Sequence, residues 1–361
     1  MDKGGASADQ PKIELLLEQV VKRRGSDLHL QVGLPPVIRI DGKLSALPNI
    51  APLTENTLES MVFSLLEEDQ KQALLRDKEL DFSFAFGDLG RFRVNAFHER
   101  GNLAASMRLI PNQILSIEQL NLPPVVAKFA DFSHGLILVT GPAGSGKTTT
   151  LASLINKINT ERSNHIVTIE DPIEYIHDSK KSVVAQREVH YDTYSLSMAL
   201  RSSLHQDPDV VLIGEMRDLE TIAAAVAIAE TGHLVFATMH TANAAQSIDR
   251  IIDTFPAAQQ QQIRVQLSNV LQAISAQRLV SGLAGGRLPA TEILFVTPAV
   301  RAMIREGKTH QIDSVIQTGL EYGMQSLDAT LAEMVHAGLI NYDEAAAAAV
   351  NVEELNRLMR S

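Results

Sequence analysis

Residues Leu136–Thr150, LILVTGPAGSGKTTT, constrain this chain more than any other stretch. Apolar β-formers run into Gly141-x-x-x-x-Gly146-Lys147-Thr148, which fills every fixed position of the phosphate-binding loop pattern. The chemistry demands that spacing. Gly141, Gly144 and Gly146 let the backbone turn tightly and aim successive N–H groups at phosphate oxygens, at the N-terminus of the next helix. Lys147 reaches the β- and γ-phosphates, and the Thr148 hydroxyl holds Mg²⁺. Gly141, Pro142, Ala143, Gly144, Ser145, Gly146, Lys147, Thr148 and Thr149 are therefore the candidate nucleotide-binding residues, with ATP and Mg²⁺ as the expected cofactors. A strand is expected before the loop (Leu136–Thr140) and a helix after it (Lys147–Asn159).

Such a loop belongs to an α/β sheet, and the remaining chain reads accordingly. With 361 residues, two domains are the better expectation. Strand candidates at 136–140, 166–169, 183–186, 210–213 and 234–238 alternate with helical runs, predicting a mostly parallel sheet with covering helices. From Pro298 onward the pattern is helical. Before the loop the pattern changes. Ile13–Arg24 carries a helical apolar stripe, Asp27–Val32 alternates, and Val37–Ile40 leads into the hairpin signal Asp41-Gly42. Leu53–Arg76 reads as one or two helices. Leu80–Phe86, Arg91–Phe97 and Leu103–Leu109 read as strands. The expected organisation is a loose tail (1–10), a small α+β domain (11–112), a linker (113–125) bracketed by Pro111, Pro123 and Pro124, and the ATPase domain (126–361). Ser116-Ile-Glu-Gln119 is a possible capping box within the linker, and a C-terminal helical region starts near 298.

Charge and composition narrow the partners. The net charge of −11 argues against nucleic acid, whose binders usually carry a basic surface. The absence of tryptophan and an aromatic content of 4% leave few platforms for stacking bases, which disfavours a DNA-processing ATPase. Zero cysteines exclude disulfides and thiolate metal sites and fit a reducing cytoplasm. No apolar run reaches membrane-spanning length, so a membrane role would be peripheral.

Three further groups of residues carry chemistry. Glu170, Asp171 and Glu174 lie at the C-terminal end of a strand, the edge where open α/β sheets bind ligands. Asp209-Val-Val-Leu-Ile-Gly214-Glu215 is a buried strand ending in a carboxylate, and Glu215 is the expected base for the attacking water. Thr231–Thr241 is a strand flanked by His233 and His240. Its spacing suits no zinc site, and leaves His240 open between a γ-phosphate contact and a structural role. Arg91 and Arg93 share one strand face and Arg108 lies on the next strand. Their spacing leaves open whether they are solvated charges or arginine fingers.

Taken together these blocks resemble the secretion ATPase superfamily, and within it the PilT-type type IV pilus retraction ATPases. The matching stretches are Ser26-Asp-Leu-His-Leu with Gly33-x-Pro-Pro-x-x-Arg39, Gly90–Asn95, the phosphate loop, Thr168–Glu174, Asp207–Asp218 and Thr231–Thr241, in family order over nearly the whole chain. The resemblance implies a PAS-like N-terminal domain, a RecA-like ATPase domain and a homohexameric ring. It implies that Glu215 is the catalytic glutamate, that Glu170 supports Mg²⁺ through water, and that Arg91, Arg93 and Arg108 face nucleotide across a domain cleft. It also implies an inner-membrane pilus platform protein as partner, met from the cytoplasmic face.

Three features favour retraction over assembly: the short N-terminal region, the impossibility of a four-cysteine zinc site, and Ala299–Glu306 (AVRAMIRE). This segment resembles the retraction family's AIRNLIRE motif, departing at Val300, Ala302 and Met303. His205 departs from the arginine common in the family. A helix at Pro298–Gly307 would place Val300, Met303 and Ile304 on one face. Arg301 and Arg305 would lie on another, as a surface passing motion to the pilus machinery. Other functional readings are an accessory paralogue and an inactive nucleotide-binding one.

Overall fold

The structure, a computed structural model, describes residues 12–40, 42–110 and 113–360. The expected tail, Asp41 and Pro111 lie outside the described residues. The chain divides into two compact units between Gln113 and Ile114.

In the first unit α1 (Ile13–Lys22) buries Ile13, Leu16, Leu17 and Val20, the stripe its periodicity predicts, and the chain leaves it through Arg24 at φ 55° and Gly25. Strands β1 (Asp27–Gln31), β2 (Val37–Ile40) and β3 (Lys43–Ala46) follow. Leu53–Arg76 resolves into two helices, α2 (Glu55–Phe63) and α3 (Glu68–Asp77), the second opened by a Glu67/Gln70 capping box. Strands β4 (Glu79–Ala85), β5 (Arg91–Glu99) and β6 (Asn102–Ile110) complete an antiparallel sheet of order β3-β2-β1-β6-β5-β4. One face of that sheet, with Leu28, Leu30, Val94 and Met107, packs on α1 and α2. The other carries the polar residues of each alternation.

The second unit opens with Ser116–Gln119, whose two reciprocal bonds (Ser116 N to Gln119 Oε1, 2.9 Å; Gln119 N to Ser116 Oγ, 3.3 Å) form the expected box on a turn rather than a helix. The stretch expected as a linker is anchored to this unit, because Ile117 and Leu122 are buried in its core. Its sheet comprises β7 (Gly135–Thr140), β8 (His165–Glu170), β9 (Val183–Glu188), β10 (Val210–Ile213), β11 (Leu234–Met239), β12 (Leu271–Ser281) and β13 (Arg287–Phe295). Their order is β13-β12-β7-β11-β10-β8-β9, parallel except for the antiparallel β12–β13 pair. Helices α4 (Lys147–Glu161), α5 (Leu196–Ser203), α6 (Leu219–Glu230), α7 (Ala244–Asp253) and α8 (Ala257–Val270) cover it.

Every residue of β7 is buried. Leu136 and Leu138 meet Ile222 of α6 and Leu267 of α8, whereas Ile137 and Val139 meet Leu151 and Leu154 of α4. Such two-sided burial is why the strand reads as an unbroken apolar run. The five expected strands of this sheet are present, each within two residues of its expected ends. β12 and β13 were not among them. β12 is rich in Ala, Ser and Gln, and β13 contains Pro289, tolerated because β13 is an edge strand.

The C-terminal region is helical as expected: α9 (Pro298–Glu306), α10 (Ile312–Thr318), α11 (Leu327–His336), α12 (Tyr342–Ala348) and α13 (Val352–Leu358). In α9 Val300 and Ile304 are fully buried. Arg301 is not a free surface charge. Its guanidinium donates to the Ser268 and Asn269 carbonyls in the last turn of α8 and to Gln272 Oε1 (3.0 Å). A cation there satisfies carbonyls that a helix end leaves unpaired. Arg305 is exposed.

Candidate nucleotide site

The site grows from the C-terminal ends of four neighbouring parallel strands, β8, β10, β11 and β7. After β7 the chain turns through Gly141, Gly144 and Gly146, all at positive φ, into α4. A Cβ on Gly141 would collide with the Gln277 carbonyl oxygen of β12, so only glycine fits there. Gln277, 1% exposed, also grips the loop with its side chain. Its amide donates to the Ser145 carbonyl (2.8 Å) and accepts from the Thr150 hydroxyl (3.0 Å). The glycine pattern shows the loop but not the strand that backs it, so Gln277 carried no signal of its own.

Lys147 is buried, and its ammonium donates to the Gly141 and Pro142 carbonyls at 2.9 and 3.0 Å. Burial lowers its pKa, against the opposing pull of Glu215 and Glu174. Those two carboxylates therefore share its electrostatic environment. Thr148 and Thr149 lie in the first turn of α4, half-buried, and Thr149 Oγ1 meets the Tyr175 hydroxyl at 3.1 Å. Pro142, Ala143 and Gly144 are exposed at the loop's tip.

Glu170 closes β8. It is buried, accepts from Thr168 Oγ1 (2.8 Å) and lies 3.4 Å from the Gln186 amide. Burial pushes its carboxyl up to about 7, against the bonds from Thr168 and Gln186. Gly214, next to it across β10, leaves room for this packing, since a Cβ there would sit 3.3 Å from the Glu170 Cα.

Glu215 follows directly. Its carboxylate is bound by Arg217 (2.7 Å) and by His240 Nε2 (3.2 Å), the latter just beyond the end of β11. Partial burial pushes Glu215 up, but the bonds and charges of Arg217 and His240 outweigh it and hold the carboxyl below its usual range. His240 is thus bonded to the expected base. Arg217, inside the Asp207–Asp218 stretch, was not singled out. An arginine beside a carboxylate in a loop reads as an ordinary surface pair until the fold aims both at one spot. The loop, Lys147, Glu170, Glu215 and His240 are thus brought to one edge of one sheet.

The three arginines form a second cluster, in the first unit. Strand register aligns Arg39, Asp27, Arg108, Arg93 and Ser83 in one row across β2, β1, β6, β5 and β4. Asp27 is buried on this polar face. It accepts from Arg108 Nε (2.9 Å) and Ser26 Oγ (2.7 Å), with Arg39 Nε 3.6 Å away. Arg91 donates to Ser83 Oγ at 2.6 Å. Arg93 and Arg108 stand directly opposite each other, an arrangement of like charges that costs an antiparallel pair stability. Asp27 and Arg39 fall inside the Ser26–Arg39 stretch, but only register reveals that they sit beside Arg108.

A strand-turn-helix phosphate loop flanked by carboxylates on adjacent strand ends defines a P-loop ATPase. The chain belongs to the type II/IV secretion system protein family, whose match spans residues 6–287. It is 47% identical to the type IV pilus retraction ATPase PilT of Pseudomonas aeruginosa over 91% of this chain and 96% of that one. It is also 47% identical to the twitching motility protein of Neisseria gonorrhoeae, over 89% and 86% of the two. A crystal structure of the pilus retraction motor PilT with bound ADP superposes with a TM-score of 0.88 at 45% identity, covering 96% of this chain and 99% of that one. The expected secretion ATPase fold and family stand. Among the described residues no helix is long and apolar enough to cross a membrane.

Proposed function

We propose that this chain is a Mg²⁺-dependent ATP hydrolase that drives type IV pilus retraction as a homohexamer, at the cytoplasmic face of the cytoplasmic membrane against a platform protein. The observation that carries the chemistry is Glu215, ionised and aimed by Arg217 and His240, on the sheet edge that presents the phosphate loop. The likeness to PilT carries the assignment to retraction.

The residues fit magnesium. Thr148 and Glu170 offer hard oxygen donors, and among the described residues no cluster of three acidic or histidine side chains forms an all-protein cage. That suits an ion held mainly by one hydroxyl, water and substrate phosphates. When bound, Mg²⁺ neutralises phosphate charge. The chain's own residues do the rest. Loop N–H groups and Lys147 would bind the phosphates, Thr148 and, through water, Glu170 would hold the ion, and Glu215 would orient the attacking water and accept its proton at a carboxylate oxygen. His240 and Arg217 keep that carboxylate ionised and pointed. Arg91, Arg93 and Arg108 would supply positive charge to the bound nucleotide.

Phosphate release tests the reading. Purified protein should hydrolyse ATP only with Mg²⁺, and a deletion strain should regain twitching motility with the wild-type chain but not with Glu215→Gln. Hydrolysis without restored motility would leave an ATPase of another export machine.

A further inference from the structure

The helix that follows His240 is held from a distant strand. Helix α7 begins at Ala244, shortly beyond the histidine that bonds Glu215. Its first turn is dry, with Ala244 and Ala245 both buried. A helix start carries N–H groups that have no partner inside the helix, and in a dry place another group must meet them. Asn243 meets one locally, its side chain accepting from the Gln246 N–H (2.8 Å). The Ala244 N–H is met from outside, by Glu292 Oε1 of β13 (2.7 Å), 48 residues away in the chain.

The two caps differ in kind. Asn243 fixes the shape of the turn but moves with it. Glu292 fixes its position, because β13 is paired to β12 from Ala273–Phe295 to Ser281–Arg287, with Glu292 buried opposite Ala276. Asp313 of α10, Asp328 of α11 and Arg278 of β12 face the same carboxyl. Asp328 is taken up by the Val350 and Asn351 N–H groups (2.8 and 3.0 Å). Burial pushes the Glu292 carboxyl up to about 7, against the bond from Ala244. Neutral or ionised, it keeps an oxygen that accepts. The stretch between His240 and α7 is tied to the helix as well, Thr241 Oγ1 meeting Ser247 Oγ (2.6 Å) and Ser247 Oγ donating to the Asn243 carbonyl (2.7 Å). Loop and helix start therefore shift as one body. We propose that Glu292 is a positioning residue for ATP hydrolysis: by gripping the start of α7 from β13, it sets where His240 stands against Glu215. This rests on the ATPase reading and deepens it, since the base is then aimed from β13, outside the four strands that carry the site.

Phosphate release by the full chain is the test. Glu292→Leu, which keeps bulk and removes the acceptor, should lower kcat by about 10- to 100-fold with KM for ATP within about twofold, the loss that a displaced catalytic group brings. Glu292→Gln keeps an oxygen for Ala244 and should return kcat to within about threefold of wild type. In a His240→Ala background, Glu292→Leu should cost less than about a further twofold, because the group it positions is gone. A merely structural Glu292 would give losses that multiply, or a glutamine variant as slow as the leucine one, and either overturns the proposal. So does a loss carried by KM, or a wild-type kcat in Glu292→Leu or in His240→Ala. If Glu292→Leu misfolds, Ala244→Pro takes its place, since proline suits the first helical position and removes the N–H that Glu292 grips. The same fall in kcat at constant KM supports the proposal, and an unchanged kcat or a failure to fold overturns it. A wild-type chain that hydrolyses no ATP sinks the enzymatic reading instead.

Discussion

The two sheets solve the same burial problem in opposite ways. The antiparallel sheet of the first unit gives one face to a core and keeps the other polar, so its functional candidates form rows across neighbouring strands, Arg39-Asp27-Arg108-Arg93. The sheet of the second unit is covered on both faces, so its functional candidates crowd onto the strand ends. A sheet that buries both faces has only its edge left for chemistry. A sheet that buries one has a whole surface, read by register.

The contrast can be broken most severely at the strand ends. Lys147→Ala should abolish measurable nucleotide binding, and with it turnover, in a calorimetric titration. Glu215→Gln should keep binding but slow phosphate release by about 10²–10⁴-fold, since the amide accepts no proton. A near wild-type rate would remove Glu215 from its role.

Row chemistry should give a smaller effect on turnover. Arg93→Ala or Arg108→Ala should lower turnover while sparing ATP affinity. A finger acting alone supplies ~10³ or more, and two adjacent arginines share that task. A change below about twofold in both variants would reduce the row to surface charge. Asp27→Asn would sharpen the point, because it frees Arg108 without removing it. Stability should follow the same contrast: Leu138→Ala, buried between two helix layers, should cost ~2–5 kcal/mol, and Asn95→Ala on the polar face within about 0.5 kcal/mol, by urea denaturation.

Buried carboxyls extend the comparison to pH dependence. Glu170 and Glu292 both titrate near 7 in the folded chain for the same first reason, burial, against an ordinary value of 4.5. The fold therefore binds more protons than the unfolded chain between pH 4.5 and 7. The stability from these protons is complete below about 4.5 and lost as pH rises through about 7. Denaturation midpoints at pH 5 and 7.5 should differ less in Glu170→Gln than in wild type. An unchanged difference would mean that Glu170 is ionised throughout.

The phosphate loop, Glu170, Glu215 and the five parallel strands were legible because each rests on a local pattern: glycines at fixed spacing, apolar runs, a carboxylate after a strand. Register and cross-strand distance have no such pattern. Nothing local announces that Gln277 lies behind Gly141, 136 residues earlier in the chain, or that Arg301 caps α8 instead of facing water. The paired β12 and β13 were hidden by composition, their Ala, Ser, Gln and Pro resembling anything but sheet.

Arg301 makes α9 a strut and not a lever. Its side chain welds the end of α8 to Gln272, and Gln272 and Gln277 are residues of one strand, β12, set apart by about 17 Å at the usual rise per residue. Between Ala273 and Ala276 the strand is paired on both sides and scarcely stretches. A tug on α9 would therefore pass through the irregularity at Gln272 into the paired part of β12 and on to the phosphate loop, and mechanical load would be felt as a change in grip on nucleotide. Arg301→Ala should cut that cable: stalled under external force, the variant motor should show hydrolysis less sensitive to load than wild type.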